Sequence, residues 1–86
     1  MDFYTLSDKS IENELGRRIR ALRLRKNITQ KELAVATTLS LNTIKSLESG
    51  SGKLSTVIAV LRELCALDNI DHFITFYYKQ NTLTTT

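Results

Sequence analysis

The sequence has no proline, three glycines, one cysteine and one histidine among its 86 residues. Without proline and with few glycines, few positions force a helix to end. A single cysteine excludes an internal disulfide, and a lone histidine argues against a metal site, because zinc sites need several such ligands. The chain also lacks a Ser/His/Asp or Cys/His arrangement and a glycine-rich phosphate loop, so we expect no catalytic residue, no metal and no cofactor.

Long apolar runs are also missing. The longest, residues 57–61, is far shorter than the roughly 20 residues that cross a bilayer, and the N-terminus lacks the pattern of a signal peptide. We therefore expect a cytoplasmic protein that does not bind membranes. With 42% hydrophobic and 24% charged residues, and apolar residues spaced by three and four, the chain is predicted to be one all-α globular domain.

Positive charge is concentrated in the middle of the chain, although the net charge is only +3. Residues 1–16 hold one lysine against four acids, and residues 17–53 hold nine lysines and arginines against two glutamates. Residues 54–86 hold two cations against three acids. A basic centre between acidic ends suits a polyanionic partner such as a nucleic acid. A solvated helix surface would explain the charge equally well, so the motifs must decide.

A first helix is predicted from Ser10, which can cap it, to Asn27, which can adopt the left-handed conformation that ends a helix. Its apolar stripe consists of Ile11, Leu15, Ile19 and Leu22. Residues 1–9 are then an N-terminal extension and residues 10–74 the helical domain. Residues 75–86 form a C-terminal segment whose polar tail we expect to be disordered.

The strongest local signal follows the first helix. Thr29 and Glu32 fit a capping box, so a second helix should begin at Gln30. Its periodicity fails within eight residues, and Ser40 can cap a third helix that Gly50 closes. The sequence therefore predicts two short helices joined by a tight turn.

Two further helices are predicted after the glycine- and serine-rich loop of residues 49–53. The fourth starts near Ser55, ends near Leu67 and should bury Val57, Ile58, Leu61, Leu64 and Cys65. Asp68 can cap the fifth, which places Ile70, Phe73, Ile74 and Tyr77 at helical spacing.

Residues 29–50 resemble the helix-turn-helix of the Cro/C1-type (XRE) family of phage and bacterial regulators. The capping box, the small Ala34, the apolar Ile44 and the ending at Gly50 fall in register. With the neighbouring helices, the resemblance covers about residues 11–74. It implies a compact five-helix, lambda-repressor-like DNA-binding domain whose helix-turn-helix is formed by helices 2 and 3. Thr38 stands where the family usually has glycine, so either it adopts a positive φ or the turn differs.

The resemblance also implies a structural ion pair. Arg23 and Glu48 stand where relatives have an arginine in helix 1 and a glutamate near the end of helix 3, which form a partly buried pair. Two unrelated surface charges are the alternative.

By the same resemblance, the third helix lies in the major groove of DNA and the second crosses the backbone. The predicted base-reading residues are Leu41, Asn42, Lys45 and Ser46. Asn42 suits adenine, Lys45 suits guanine, and Leu41 can cover a thymine methyl group. The predicted phosphate contacts are Gln30, Thr43, Lys53, Arg20 and Lys26.

The role implied by the resemblance is a dimeric transcriptional repressor bound to a palindromic operator in double-stranded DNA. The segment after the third helix is similar to HipB-like antitoxins, so an antitoxin that also neutralises a protein toxin is an alternative, as is a restriction-modification controller. The aromatic residues near the end of the chain favour a homodimer interface there. The predicted interface residues are Ile70, Phe73, Ile74, Phe76 and Tyr77, with residues 75–79 either helix or strand.

Overall fold

The computed structural model describes residues 1–68 and 70–73. Over these residues the chain forms a 3₁₀ turn, Phe3–Thr5, and five α-helices, with no strand: α1 is Asp8–Arg25, α2 is Gln30–Thr37, α3 is Leu41–Glu48, α4 is Leu54–Glu63 and α5 is Ile70–Phe73. The predicted all-α fold with five helices is confirmed. None of these helices is long and apolar enough to span a membrane.

Helix α1 begins earlier than the sequence predicted. The Ser7 hydroxyl, and not that of Ser10, is the cap: it accepts from the Ser10 N–H at 3.1 Å, and Ser10 is already helical. Asp8 then lies in the first turn, where the helix dipole favours an anion. The 3₁₀ turn packs back on α1, since the Phe3 ring lies 5.2 Å below the Arg18 guanidinium. Both serines fit the capping preference, so residue type alone could not choose between them.

Helices α1 to α4 all end in the same way. Each is followed by a residue with positive φ, and the next N–H donates to a carbonyl five residues earlier. The four residues are Asn27 at 57°, Thr38 at 58°, Gly50 at 96° and Cys65 at 55°. The ends predicted at Asn27 and Gly50 are confirmed. Thr38 adopts the positive φ that a glycine would adopt without strain, which decides between the two alternatives for the turn.

The core lies where α1, α2, α3 and α4 meet. Its buried apolar residues are Ile19, Leu33, Ala34, Ile44, Leu47, Val60 and Leu64. Leu39, in the turn between α2 and α3, is half-buried against them. Burying one such aliphatic side chain contributes about 1.5–3 kcal/mol. This shared core therefore holds α2 and α3 in a fixed relation to α1 and α4.

Helix α4 differs from its prediction in both length and buried face. It ends at Glu63, and not near Leu67, because the left-handed Cys65 reverses the chain. The Cys65 side chain is consequently exposed, and Ile58 is 37% exposed, whereas both were predicted to be buried. The polar Thr56 is buried instead. Apolar residues lie on two adjacent faces of α4, and helical spacing alone does not show which face meets the core.

One smaller prediction also needs correction. Leu15 is 51% exposed, and Gly16 takes the buried position beside it on α1. Residue 69, between Asp68 and α5, lies outside the described residues, so the cap predicted at Asp68 stays a prediction. Ile74 and the C-terminal segment 75–86, with its predicted tail, lie outside the described residues.

Candidate nucleic-acid interface

The helix-turn-helix is built from α2 and α3, and side chains cap both helices. The Thr29 hydroxyl accepts from the Glu32 N–H at 3.0 Å, and the Glu32 carboxylate accepts from the Thr29 N–H at 2.9 Å, which completes the predicted capping box. The pKa of Glu32 is lowered first by the hydrogen bond from the Thr29 N–H to its carboxylate, and second by the neighbouring Thr29 side chain. At α3 the Ser40 hydroxyl accepts from the Thr43 N–H at 3.0 Å. Both helix starts are therefore held by their own side chains.

Arg23 and Glu48 form a buried ion pair, as the resemblance implied. Arg23 Nε donates to Glu48 Oε2 at 2.6 Å and Nη2 donates to Oε1 at 3.1 Å. Arg23 Nη1 also donates to the carbonyl oxygen of Ile28, just before α2, at 2.8 Å. One guanidinium on α1 therefore holds both the approach to α2 and the end of α3. The bidentate geometry fixes direction as well as distance.

Gln30 belongs to this network, which sequence reasoning missed. Its Nε2 donates to Glu48 Oε1 at 3.0 Å. The predicted phosphate contact thus has its side chain turned toward the ion pair in the free protein. No local sequence signal could indicate this contact, because it joins residues 18 positions apart.

Gly16 is a second residue that sequence reasoning missed. A Cβ placed there would lie 2.6 Å from the carbonyl oxygen of Glu48 and 2.8 Å from that of Leu47. The backbone of α1 therefore meets the end of α3 directly. A glycine inside an otherwise helical pattern was the available signal for such a close approach.

The polar side of α3 borders an open groove between α3 and the start of α4. The groove is lined by Leu39, Asn42, Thr43, Ser46, Ser51, Gly52, Lys53, Ser55 and Thr56. It brings together two predicted base readers, Asn42 and Ser46, with two predicted phosphate contacts, Thr43 and Lys53. Ser51 and Ser55 join them and were not predicted, although both lie in the polar stretch around the α3–α4 loop.

The remaining predicted contacts lie outside this groove. Leu41 and Lys45 are exposed on α3, and Arg20 and Lys26 are exposed on α1 and just after it. Leu41 keeps 37% of its surface accessible even though it is a large apolar residue. The structure thus leaves these four side chains accessible but brings neither Arg20 nor Lys26 to the groove.

The basic middle of the chain is less uniformly available than its composition suggests. Arg17 and Arg18 pair with Glu14 at 2.8 and 2.9 Å, and these hydrogen bonds lower the pKa of Glu14. Arg23 pairs with Glu48. Within residues 17–53, the cations that are exposed and form no salt bridge with any described residue are Arg20, Arg25, Lys26, Lys31, Lys45 and Lys53. Six of the nine central cations therefore form no salt bridge with a described residue.

A protein-family model described as a helix-turn-helix domain matches residues 14–71, from within α1 to within α5. No curated protein matches the chain. The match spans the capped helix pair, the ion pair and the groove, and so includes every element of the candidate interface.

Proposed function

Since the chain belongs to the helix-turn-helix domain family, we propose that it is a sequence-specific transcriptional regulator that represses from an operator in double-stranded DNA. The observation that carries the proposal is the two-sided character of α3. Ile44 and Leu47 are buried in the core, while Asn42, Lys45 and Ser46 are exposed on the opposite side. A helix with one rigidly packed side and one polar, accessible side is what major-groove reading requires.

Base reading is assigned to the start and middle of α3. Asn42 can donate to and accept from adenine, Lys45 can donate to guanine, and Leu41 can cover a thymine methyl group, with Ser46 beside them. Thr43 and Lys53 border the same groove and are assigned to phosphates, together with the α2 start at Gln30. Arg20 and Lys26 complete the proposed phosphate contacts as exposed cations.

Selection of the protein on randomised DNA duplexes tests the proposal. We expect a preferred sequence, and we expect Asn42→Ala to lose about 1–3 kcal/mol of binding free energy on it and to relax preference at one base pair. An unchanged preference in the variant would contradict the assignment of Asn42.

The salt dependence of binding tests the phosphate contacts separately. Removing the charge of Lys53 with Lys53→Ala should reduce the slope of log affinity against log salt by about 1, without changing the preferred sequence. Lys9→Ala is the matched control, since Lys9 is an exposed lysine at the opposite, acidic end of the chain. If Lys53→Ala and Lys9→Ala gave the same slope of log affinity against log salt, Lys53 would not contact a phosphate.

We also propose that the regulator acts as a homodimer through the region of α5. Two domains must place their α3 helices about 34 Å apart to enter successive major grooves. Ile70 on α5 is 52% exposed, and the exposed Ile58 on α4 provides further apolar surface. The other proposed interface residues, Ile74, Phe76 and Tyr77, lie outside the described residues, as does the side chain of Phe73. An exposed aliphatic residue directly before an aromatic-rich segment supports pairing there.

Sedimentation equilibrium of the full chain and of a truncation ending at Asp71 tests this interface. We expect a dimer for the full chain and a monomer for the truncation. A dimer that survives truncation would move the interface elsewhere, and a monomeric full chain would contradict the proposal.

Of the roles that the resemblance implies, we propose the repressor because DNA binding alone accounts for the residues placed around α3. An antitoxin or a restriction-modification controller would use the same DNA interface. An antitoxin would in addition copurify with a toxin when both are expressed from neighbouring genes, which distinguishes the roles.

A further inference from the structure

The two helices of the helix-turn-helix are joined at both ends, but by different means. At one end the chain itself joins them through residues 38–40. At the other end lie the first residue of α2, Gln30, and the last residue of α3, Glu48. The hydrogen bond from Gln30 Nε2 to Glu48 Oε1, at 3.0 Å, connects these far ends.

The distance from the turn makes this hydrogen bond important for geometry. A helix of eight residues is about 12 Å long, so a rotation of about 5° at the turn moves its far end by about 1 Å. Binding constellations work only when their groups are held to within about 0.5 Å. The connection at the far ends therefore controls the angle between α2 and α3 more strongly than a contact near the turn would.

The chemistry of Gln30 fits this task. Glu48 already receives two hydrogen bonds from Arg23, whose charge balances its own. The Gln30 amide adds a third donor, and a carboxylate has the acceptor capacity for it. Gln30 is not needed as a cap, because Thr29 and Glu32 cap α2. Its side chain is thus free to act between the helices.

We propose that Gln30 is a positioning residue: through Glu48 it sets the angle between α2 and α3, and thereby the match between phosphate contacts on α2 and base contacts on α3. The inference rests on the proposed DNA-binding function. It differs from the expectation that the Gln30 side chain simply touches a phosphate, because a phosphate contact changes affinity for all sequences alike.

Gln30→Met and Gln30→Lys separate these two roles. Methionine keeps the length of the side chain but removes the donor, whereas lysine keeps a donor that can reach Glu48. The probes are the duplex selected by the wild-type protein and a scrambled duplex of equal composition. We expect Gln30→Met to lose about tenfold in the ratio of the two affinities, and Gln30→Lys to retain the ratio. Lys31→Met is the matched control on α2 and should leave the ratio unchanged.

Amide NMR spectra of the free proteins provide a readout that does not depend on DNA. In Gln30→Met the signals of Glu48 and Ser49 at the end of α3 should shift, and in Gln30→Lys they should stay close to wild type. Melting curves measure the folded fraction of each variant. A loss of stability alone would lower this fraction but would leave the ratio of the two affinities unchanged.

Three outcomes would overturn the inference. One is an equal loss of affinity for both duplexes with unchanged α3 signals, which would make Gln30 a phosphate ligand only. The second is an unchanged ratio of the two affinities in Gln30→Met. The third is a loss of that ratio in Gln30→Lys as large as the loss in Gln30→Met. If the wild-type protein had no sequence preference, the proposed function would fail, and the free-protein spectra would still decide whether Gln30 holds α3 in place.

Discussion

Helices α2 and α3 begin with side-chain caps, whereas α4 begins without one. Thr29 and Ser40 each accept a hydrogen bond from the first turn of their helix, but Lys53, at the corresponding position of α4, makes no such bond. The helix-turn-helix is also secured by the Arg23–Glu48 pair, while α4 depends on the burial of Val60 and Leu64. The helix-turn-helix is therefore held by directional bonds in addition to the apolar core, whereas α4 relies on apolar packing.

The largest effect expected from this difference comes from breaking the ion pair. Glu48→Leu leaves Arg23 charged and buried without its partner, and should lower the free energy of unfolding by about 3–5 kcal/mol. The double variant Arg23→Met with Glu48→Leu should recover most of that loss, because no stranded charge remains. Chemical denaturation of both proteins measures the difference, and equal losses would show that the pair acts through its shape and not its charge.

The packing of the two halves is compared by a pair of isoleucine truncations. Ile44→Ala on α3 should cost about 2–5 kcal/mol, because Ile44 is fully buried and its loss leaves a cavity. Ile58→Ala on α4 should cost less, about 1 kcal/mol, since Ile58 keeps 37% of its surface exposed and loses only partial burial. Denaturation at a protein concentration low enough to keep the chain monomeric measures both. A large cost for Ile58 in the monomer would mean that another part of the chain covers it.

A cap added to α4 should reduce the difference between the two halves. Lys53→Asp places a capping oxygen at the start of α4 and should stabilise the domain by about 0.5–1 kcal/mol. The same change removes a proposed phosphate contact and adds a negative charge, so DNA affinity should fall. Thermal melting measures the stability of Lys53→Asp, and DNA titration measures its affinity. In the opposite direction, Ser40→Ala removes the α3 cap and should destabilise the domain by about 1 kcal/mol.

The helix ends offer a smaller test. Thr38→Gly relieves the left-handed conformation of a β-branched residue and should stabilise by about 0.5–1 kcal/mol, after allowance for the greater freedom of glycine in the unfolded chain. Cys65→Gly applies the same change at the end of α4, where no DNA contact is proposed. Destabilisation by both variants would show that their side chains contribute more than the backbone strain costs.

The smallest effect concerns the pH dependence of the α2 cap. Because the hydrogen bonds from Thr29 lower the pKa of Glu32 in the folded protein, the stabilisation from this carboxylate is present above its unfolded pKa. It is lost as the pH falls through the lowered folded pKa. Glu32→Gln keeps an acceptor but cannot titrate, so the gap in melting temperature between wild type and variant should narrow on acidification. A constant gap would show that the carboxylate charge contributes nothing.

The start of the helix-turn-helix was predictable because its determinants are local. Thr29, Glu32 and Ser40 act on backbone groups within three residues of themselves, so their spacing in the sequence already specifies the hydrogen bonds. The boundaries of α4 had no such signal. Cysteine is not a residue type that favours the left-handed conformation, so Cys65 did not indicate the end of α4. Which of the two apolar faces of α4 is buried depends on which face meets α2 and α3.

The polar pattern of α3 determined by itself which of its side chains are exposed, since its buried and exposed positions alternate with the helical period. Only the tertiary structure decided that Gln30 turns inward to Glu48, that Gly16 lets α1 reach the end of α3, and that three of the nine central cations are already paired. The physical reason is the separation along the sequence between the residues that interact. A capping bond joins neighbours in the sequence, whereas a buried charge, a close backbone contact and a groove each require residues that meet only when the helices pack.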